Sequence, residues 1–249
     1  MAPKLSIIIP NYNEKENIQT GALDQVASYL AEAPFTWEVI ISDDGSTDGS
    51  RDLVETFAKK SPGFRLLRNF HGGKAAAVNA GIKAAKGEII LFADMDQSTP
   101  LKEVEKLLSF YDQGYDVVFG SRGKARKNSP LTRKAMSFFF RHFRQLFLLR
   151  NISDTQCGFK SMRSKVAKYL FPKLSVLREK ATGWTVSAFD VELLFLAEKA
   201  GYKLKEVEVD WRDRDVSTGK SKNFFTESVD MLKQIITVKV NDLKGLYHL

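Results

Sequence analysis

The sequence predicts an α/β fold: a mostly parallel sheet flanked by helices, followed by a C-terminal amphipathic helix. Three observations predict it. Up to residue 120, short apolar runs alternate with segments of helical period in a βαβαβα rhythm, which a right-handed, doubly wound sheet accounts for most economically. The central run, residues 89–93, is apolar at every position, as a strand buried on both faces must be. Near the end, Phe225, Val229, Leu232, Ile236, Val240 and Leu243 recur at intervals of three and four.

Taken in order, residues 5–9 form an apolar strand stopped by Pro10, and residues 11–14 read as a loop. Ile18, Ala22, Val26, Tyr29 and Leu30 then fall at helical spacing. Residues 37–41 are a second strand, ending in a dense turn cluster over 42–49. Leu53, Val54 and Phe57 mark a helix, and residues 64–67 a third strand. Gly72-Gly73-Lys74 opens an alanine-rich helix that reaches Ala85. After the central strand, Val104, Leu107 and Leu108 belong to a helix and residues 117–119 to a strand. The second half is less regular. Residues 156–162 read as a β element and 189–200 as a helix. Leu204, Val207, Val209 and Trp211 mark a half-buried strand. There is no internal repeat and no linker-like low-complexity stretch.

Composition narrows the function classes. Of 249 residues, 43% are hydrophobic and 27% charged, which is ordinary for a globular protein. The one cysteine, Cys157, rules out an intrachain disulfide and a cysteine-rich zinc site, and fits a reducing, cytoplasmic compartment. No signal-peptide pattern precedes the first strand, and no apolar run approaches the ~18–20 residues that span a bilayer. The net charge of +8 calls for an anionic partner.

Asp94 and Asp96 close the central strand. In an extended chain, residues two apart point the same way, so these carboxylates would converge at the carboxyl edge of the sheet, where open α/β folds bind ligands. Two hard oxygens leave room on Mg2+ or Mn2+ for water and phosphate oxygens. A plain pair of capping aspartates is the alternative. The cluster Asp43-Asp44-Gly45-Ser46-Thr47-Asp48-Gly49 imitates a calcium loop, but a strand precedes it where a helix is required. It reads better as a strand-to-helix turn in which Asp48 or Ser46 caps the next helix and a carboxylate accepts from a nucleobase.

Four motifs occur in order, each at a predicted loop: Pro10-x-Tyr12-Asn13-Glu14, the cluster from Asp43 to Gly49, Gly73-Lys74 with Ala80-Gly81, and Asp94-x-Asp96. Together they resemble the nucleotide-sugar half of family 2 glycosyltransferases with the GT-A, Rossmann-like fold. The resemblance implies that Pro10, Tyr12, Glu14, Asp43 and Asp44 hold the nucleoside, and that Asp94 and Asp96 hold a metal on the donor diphosphate. Lys74, at a helix start, can reach phosphate or stand solvated. Residues 152–160 and 188–194 resemble the corresponding blocks of the polyprenyl-phosphate glucosyl- and mannosyltransferase branch, as does Gly120-Ser121-Arg122 and, less closely, Gly219-Lys220-Ser221-Lys222 with Arg212 and Arg214 before it. The implied division is a domain over 1–222, with a nucleotide-sugar half 1–120 and an acceptor half 121–222, then an amphipathic helix over 223–249.

The expected reaction moves a hexose, glucose from UDP-glucose before others, onto dolichyl or polyprenyl phosphate with inversion. An ionised phosphate needs no general base, whereas a sugar hydroxyl does. Arg122, Arg133, Arg214, Lys220 and Lys222 are candidates to bring two anions together, and Asp190 either orients an arginine or begins a helix. Family 2 transfer to a sugar hydroxyl, with Asp154 or Asp190 as base, stays open, as does mannose from a GDP donor. Between Ser121 and Ser153 there is no acid, but nine arginines and lysines interleave with Phe138, Phe139, Phe140, Phe143, Leu146, Phe147, Leu148 and Leu149. That composition suits peripheral contact with a membrane surface, or else a core helix with a basic face. Nucleic acid is not expected, since no reader fold is recognisable. A membrane-protein partner or a homo-oligomer is compatible with the sequence.

Overall fold

The computed structural model describes residues 2–123, 148–149, 152–177, 189–217 and 224–249, with side chains of the last segment from 232 onward. Seven strands form one sheet: β1 (Leu5–Asn11), β2 (Trp37–Asp43), β3 (Phe64–Arg68), β4 (Ile89–Phe92), β5 (Val117–Ser121), β6 (Lys160–Arg163) and β7 (Leu204–Glu208). Their order is β3-β2-β1-β4-β6-β5-β7. β1 pairs in parallel with both β2 and β4, and β2 with β3. β6 runs antiparallel between β4 and β5, and β7 lies parallel to β5 at the edge. Among the described residues eight α-helices accompany the sheet: α1 (Lys15–Gln19), α2 (Ala22–Ala31), α3 (Ser50–Lys60), α4 (Lys74–Ala84), α5 (Val104–Leu108), α6 (Ser164–Leu170), α7 (Phe189–Lys199) and α8 (Phe224–Leu243).

The unbroken apolar runs follow from burial on both faces. Alternate residues of each central strand enter opposite cores. Ile8, Ile40, Ile90, Phe92, Val117 and Phe119 pack with α4, α6 and α7 on one side. Ile7, Ile9, Val39, Ile41, Ile89, Leu91 and Val118 pack with α2, α3 and α5 on the other. Leu148 and Leu149, from the segment whose composition suits either a membrane surface or a core helix, are buried in the first core, in the cluster that holds Phe189 and Ile152. The other residues of 124–147 lie outside the described part.

Pro10 does not end β1. It stays in the ladder opposite Ser42, and the strand runs on to Asn11. Ile8 C=O accepts from Ala93 N–H on the β4 side, whereas Asn11 C=O accepts from Asp44 N–H on the β2 side. Pro10 shares the parity of Ile8, so its missing N–H faces past Phe92, where β4 has already stopped and no ladder bond is lost.

The last helix stands where its spacing places it, and it packs on one side only. Ile235 and Val238 are buried, while Ile236, Val240 and Leu243 of the predicted stripe point outward. Past the helix, buried Tyr247 donates its hydroxyl to Glu192 Oε1 on α7 at 2.7 Å.

α4 crosses β1 so closely that a Cβ on Gly81 would lie 2.5 Å from Ile8 Cγ2. Gly81→Val should therefore destabilise the fold by about 1–3 kcal/mol through overpacking, read as a lower urea midpoint at unchanged slope.

Candidate active site

β4 stops at Phe92 and the chain turns at once. Asp94 and Asp96 therefore stand in a turn rather than at the end of an extended strand, and the turn, not strand alternation, brings them together. Gln97 makes the turn at φ 50°. Among the described residues the only other non-glycine with positive φ is Asn13, at 52° in the loop after β1. Both unfavourable conformations sit at the carboxyl edge of the parallel strands. Each is fastened: Gln97 Nε2 donates to Asp94 C=O at 2.8 Å, and Asn13 Oδ1 accepts from Thr47 N–H at 2.9 Å. Ser98 N–H donates to Asp96 Oδ1 at 2.8 Å.

Asp96 carries the clearest electrostatic signature. Burial first, and then the charge of Asp94, push its carboxyl up to about 6. Asp94 itself faces Lys74, the first residue of α4, with Nζ 2.6 Å from Oδ1. Burial acts to lower the Lys74 pKa, but the charges of Asp94, Asp190 and Asp96 outweigh it and hold the ammonium above its ordinary range. Gly158 supplies the room: a Cβ there would lie 1.9 Å from Asp94 Oδ2.

Two further pairs of opposite charge complete the cluster. Lys160 on β6 is fully buried, its Nζ 2.7 Å from Asp190 Oδ1 at the start of α7. It also donates to Cys157 C=O and lies 5.7 Å from the centroid of the Phe92 ring. Asp190 thus holds a lysine rather than an arginine. Arg122, just after β5, is forked onto Asp154, with Nε–Oδ2 2.7 Å and Nη2–Oδ1 2.8 Å, and its backbone N–H donates to the same carboxylate at 3.0 Å. Burial works to raise the Asp154 pKa, yet the Arg122 hydrogen bonds and charge hold it well below the usual carboxylate range. Trp211 flanks the guanidinium at 5.7 Å.

The loops after β1 and β2 form the neighbouring part of the edge. Asp43 is fully buried and accepts from Asn11 Nδ2 at 2.7 Å and Arg51 Nε at 2.7 Å. Asp44, also buried, sits at the N-terminus of α4 and takes Gly72 and Gly73 N–H, each at 2.8 Å. Burial raises its pKa against those bonds. His71 Nδ1 lies 2.9 Å from Asp44 Oδ2, and the His71 ring stacks on Tyr12 at 4.5 Å. Glu14 accepts from Asn17 Nδ2 at 2.6 Å. Neither capping candidate is the N-cap of α3, which is Gly49 in the left-handed region; Asp48, one residue earlier, accepts from Ser50 N–H at 2.9 Å. Ser46 instead accepts from Asn11 Nδ2 and Asn13 N–H.

The residues expected to contact phosphate are not all gathered here. Lys74 and Arg122 are, each bound to a carboxylate. Residues 209–217 cross the edge as a strap, with Arg212 N–H on Ser98 C=O at 2.8 Å and Asp215 Oδ1 accepting from Asn17 Nδ2 at 3.0 Å. Arg214 is exposed on this strap, its Nη1 3.2 Å from Gln25 Oε1. Arg133, Lys220 and Lys222 lie outside the described residues. Sequence reading missed Gly158, Lys160, His71 and Gln97. A lysine among Cys157, Phe159 and Met162 in a β element was the available signal for Lys160, because a buried charge requires a partner. The other three carried none.

Asp94 and Asp96 suit a divalent cation. Among the described residues no three histidine, cysteine or acidic side chains gather as a protein-only cage. Two hard oxygens with mutual repulsion match Mg2+ or Mn2+ completed by substrate oxygens.

Two predictions test this geometry. Gly158→Ala should displace the Asp94 carboxylate and lower kcat/KM roughly hundredfold, with a melting temperature near wild type. Asp154→Asn should leave the Arg122 charge buried without its partner and cost about 3–5 kcal/mol near neutral pH. Because the Asp154 pKa is depressed in the fold, its stabilisation is complete above the ordinary aspartate value of about 4 and drains away as pH falls further. Urea unfolding of both proteins should therefore show the gap narrowing in acid.

The profile of "Glycosyl transferase family 2" matches residues 6–171. The dolichyl-phosphate beta-glucosyltransferase of Dictyostelium discoideum is 32% identical, over 98% of this chain and 76% of its own. The human protein of that name is 31% identical, over 99% and 78%. Among solved structures, a Pyrobaculum calidifontis mannosyltransferase in complex with GDP-Man and Mn2+ superposes with a TM-score of 0.66 at 17% identity, covering 97% of this chain and 65% of its own. Glucosyl-3-phosphoglycerate synthase from Mycobacterium tuberculosis gives 0.65 at 15%, covering 96% and 80%. These two share the GT-A fold found here. With its family profile, sheet order and paired aspartates after β4 in agreement, the chain belongs to glycosyl transferase family 2 and is a glycosyltransferase.

Proposed function

We propose that this enzyme transfers glucose from UDP-glucose to dolichyl or a related polyprenyl phosphate, with inversion at the anomeric carbon, at a membrane surface. One observation carries the choice of acceptor. Among the described residues, three carboxylates near Asp96 are each engaged by a cation, Asp94 by Lys74, Asp190 by Lys160 and Asp154 by Arg122, while a fourth, Asp215, is held by Asn17 Nδ2 and the Ser217 hydroxyl. A sugar hydroxyl would need one of them as a general base. Asp154, held strongly ionised, is a poor proton acceptor. A phosphate monoester, with a second pKa of about 6, arrives already ionised and needs no base. The names of the relatives support the same acceptor and sugar.

On this reading residues 1–120 hold the donor and 121–222 the acceptor. Tyr12, with His71 behind it, offers a flat surface to the nucleobase. Asp43 and Asp44 hold the loops that shape that pocket, and Pro10 and Glu14 fix its entry. Asp94 and Asp96 would hold Mg2+ or Mn2+, which when bound neutralises charge on the diphosphate. Lys74, beside them, can exchange Asp94 for a diphosphate oxygen. An acceptor phosphate oxygen bonds to the anomeric carbon as its bond to the diphosphate oxygen breaks, and the nucleoside diphosphate departs with that electron pair. Arg122 with its Asp154 fork, Asp190 with Lys160, and the basic residues Arg133, Arg214, Lys220 and Lys222 are the groups this reading places on the acceptor side.

The deciding assay offers labelled UDP-glucose, UDP-galactose and GDP-mannose with a short polyprenyl phosphate in detergent, with and without EDTA. Label should enter the organic phase from UDP-glucose alone, only with divalent metal, and Asp96→Asn should reduce it at least hundredfold. Transfer to soluble glycans with no lipid product would defeat the proposal.

A further inference from the structure

α8 packs on the protein with only one of its two apolar faces. Ile235 and Val238 enter the core, and Tyr247 just beyond seals onto Glu192 and Phe195. Asp242 turns inward to Lys199. The opposite face is apolar and open: Ile236 is 52% exposed, Val240 38% and Leu243 75%. At 100° per residue these three fall within a 60° arc. Leu246 and Leu249 continue the exposed apolar surface past the helix end.

Among residues 232–249 the charge beside this stripe is mainly positive. Lys233 and, just past the helix, Lys244 lie along one edge and Lys239 along the other. Asp242, the one side-chain acid there, meets Lys199 and lies 3.7 Å from Lys239 Nζ, so one of the three lysines is partly neutralised. We infer that the outer face of α8 lies in the interfacial region of an anionic membrane, with Ile236, Val240 and Leu243 among the acyl chains and the lysines at headgroup level. An apolar stripe edged by lysines whose stems reach up to the phosphates is the pattern of an interfacial helix. A second copy fits worse. Among the described residues the five exposed apolar side chains fall short of the roughly 800 Å² per partner of a stable interface, and a two-fold pairing would set like-charged lysines against each other. No helix among the described residues is long and apolar enough to span a bilayer, so contact of this kind would be peripheral.

The inference rests on the proposed function only for the expectation that lipid is nearby, and its test needs no substrate. Vesicles of phosphatidylcholine with about one third phosphatidylserine should sediment the full-length protein. Phosphatidylcholine alone should do so far less, and binding should weaken as salt rises. Ile236→Glu with Leu243→Glu should reduce partitioning about tenfold or more. The milder pair Ile236→Gln and Leu243→Gln should reduce it less, at an unchanged melting temperature. Turnover of a short, water-soluble acceptor phosphate should be unaffected by either pair. Absence of vesicle binding by the wild type, binding indifferent to both pairs, or a solution dimer that either pair dissolves would each overturn the assignment. Absence of short-acceptor turnover in the wild type would count against the proposed reaction and leave the vesicle result to judge the helix.

Discussion

The structure depends on how four carboxylates are held together at one edge of a sheet. Unpaired, Asp94, Asp96, Asp154 and Asp190 would repel one another in a setting with little water. Lys74, Lys160 and Arg122 prevent this, each meeting one carboxylate at 2.6–2.7 Å. Removing one partner strands the other. Asp96 enters no ion pair among the described residues, and its raised pKa records the lack.

The topology explains how these groups meet. Asp94 and Asp96 come from the turn after β4, and Lys74 from the helix that packs on β1. Neither could reach Asp190 or Asp154 in a sheet that stayed parallel throughout. β6 solves this by entering antiparallel between β4 and β5. Its direction carries Gly158 and Lys160 in from the same edge, opposite Phe92, where Lys160 pairs in register. Gly158 then lies against Asp94, where any side chain would intrude. The insertion of β6 is thus what joins the two halves of the site.

The strands, their order of appearance and most helices are legible in the sequence because burial on both faces leaves uninterrupted apolar runs. The loops carrying chemistry are legible too, since Asp, Gly and Asn cluster where strands end. What sequence reading misses depends on contacts between distant segments. The pairing of Lys160 with Asp190 joins residues 30 apart, and that of Lys74 with Asp94 joins residues 20 apart; neither interval has a local pattern. Pro10 looks like a strand end because its missing N–H is costly inside a ladder, and only the early stop of β4 removes that cost. On α8 the spacing finds an apolar stripe and leaves open what it packs against. Two apolar faces share the helix, and periodicity alone does not say which one meets the core.

The charge of the site bears on where the remaining cations must be. Four carboxylates against three cations leave the cluster at −1, although the chain as a whole is +8. On the proposed function, a donor diphosphate would bring about two negative charges and an acceptor phosphate up to two more. A divalent ion held by Asp94 and Asp96 would cover part of this, and a dianionic acceptor would still approach a negative centre unless further cations line its route. The sequence carries nine basic residues and no acid between Ser121 and Ser153. The close pairs fix geometry at short range, whereas a net positive chain acts on an incoming anion over the Debye length of about 8–10 Å.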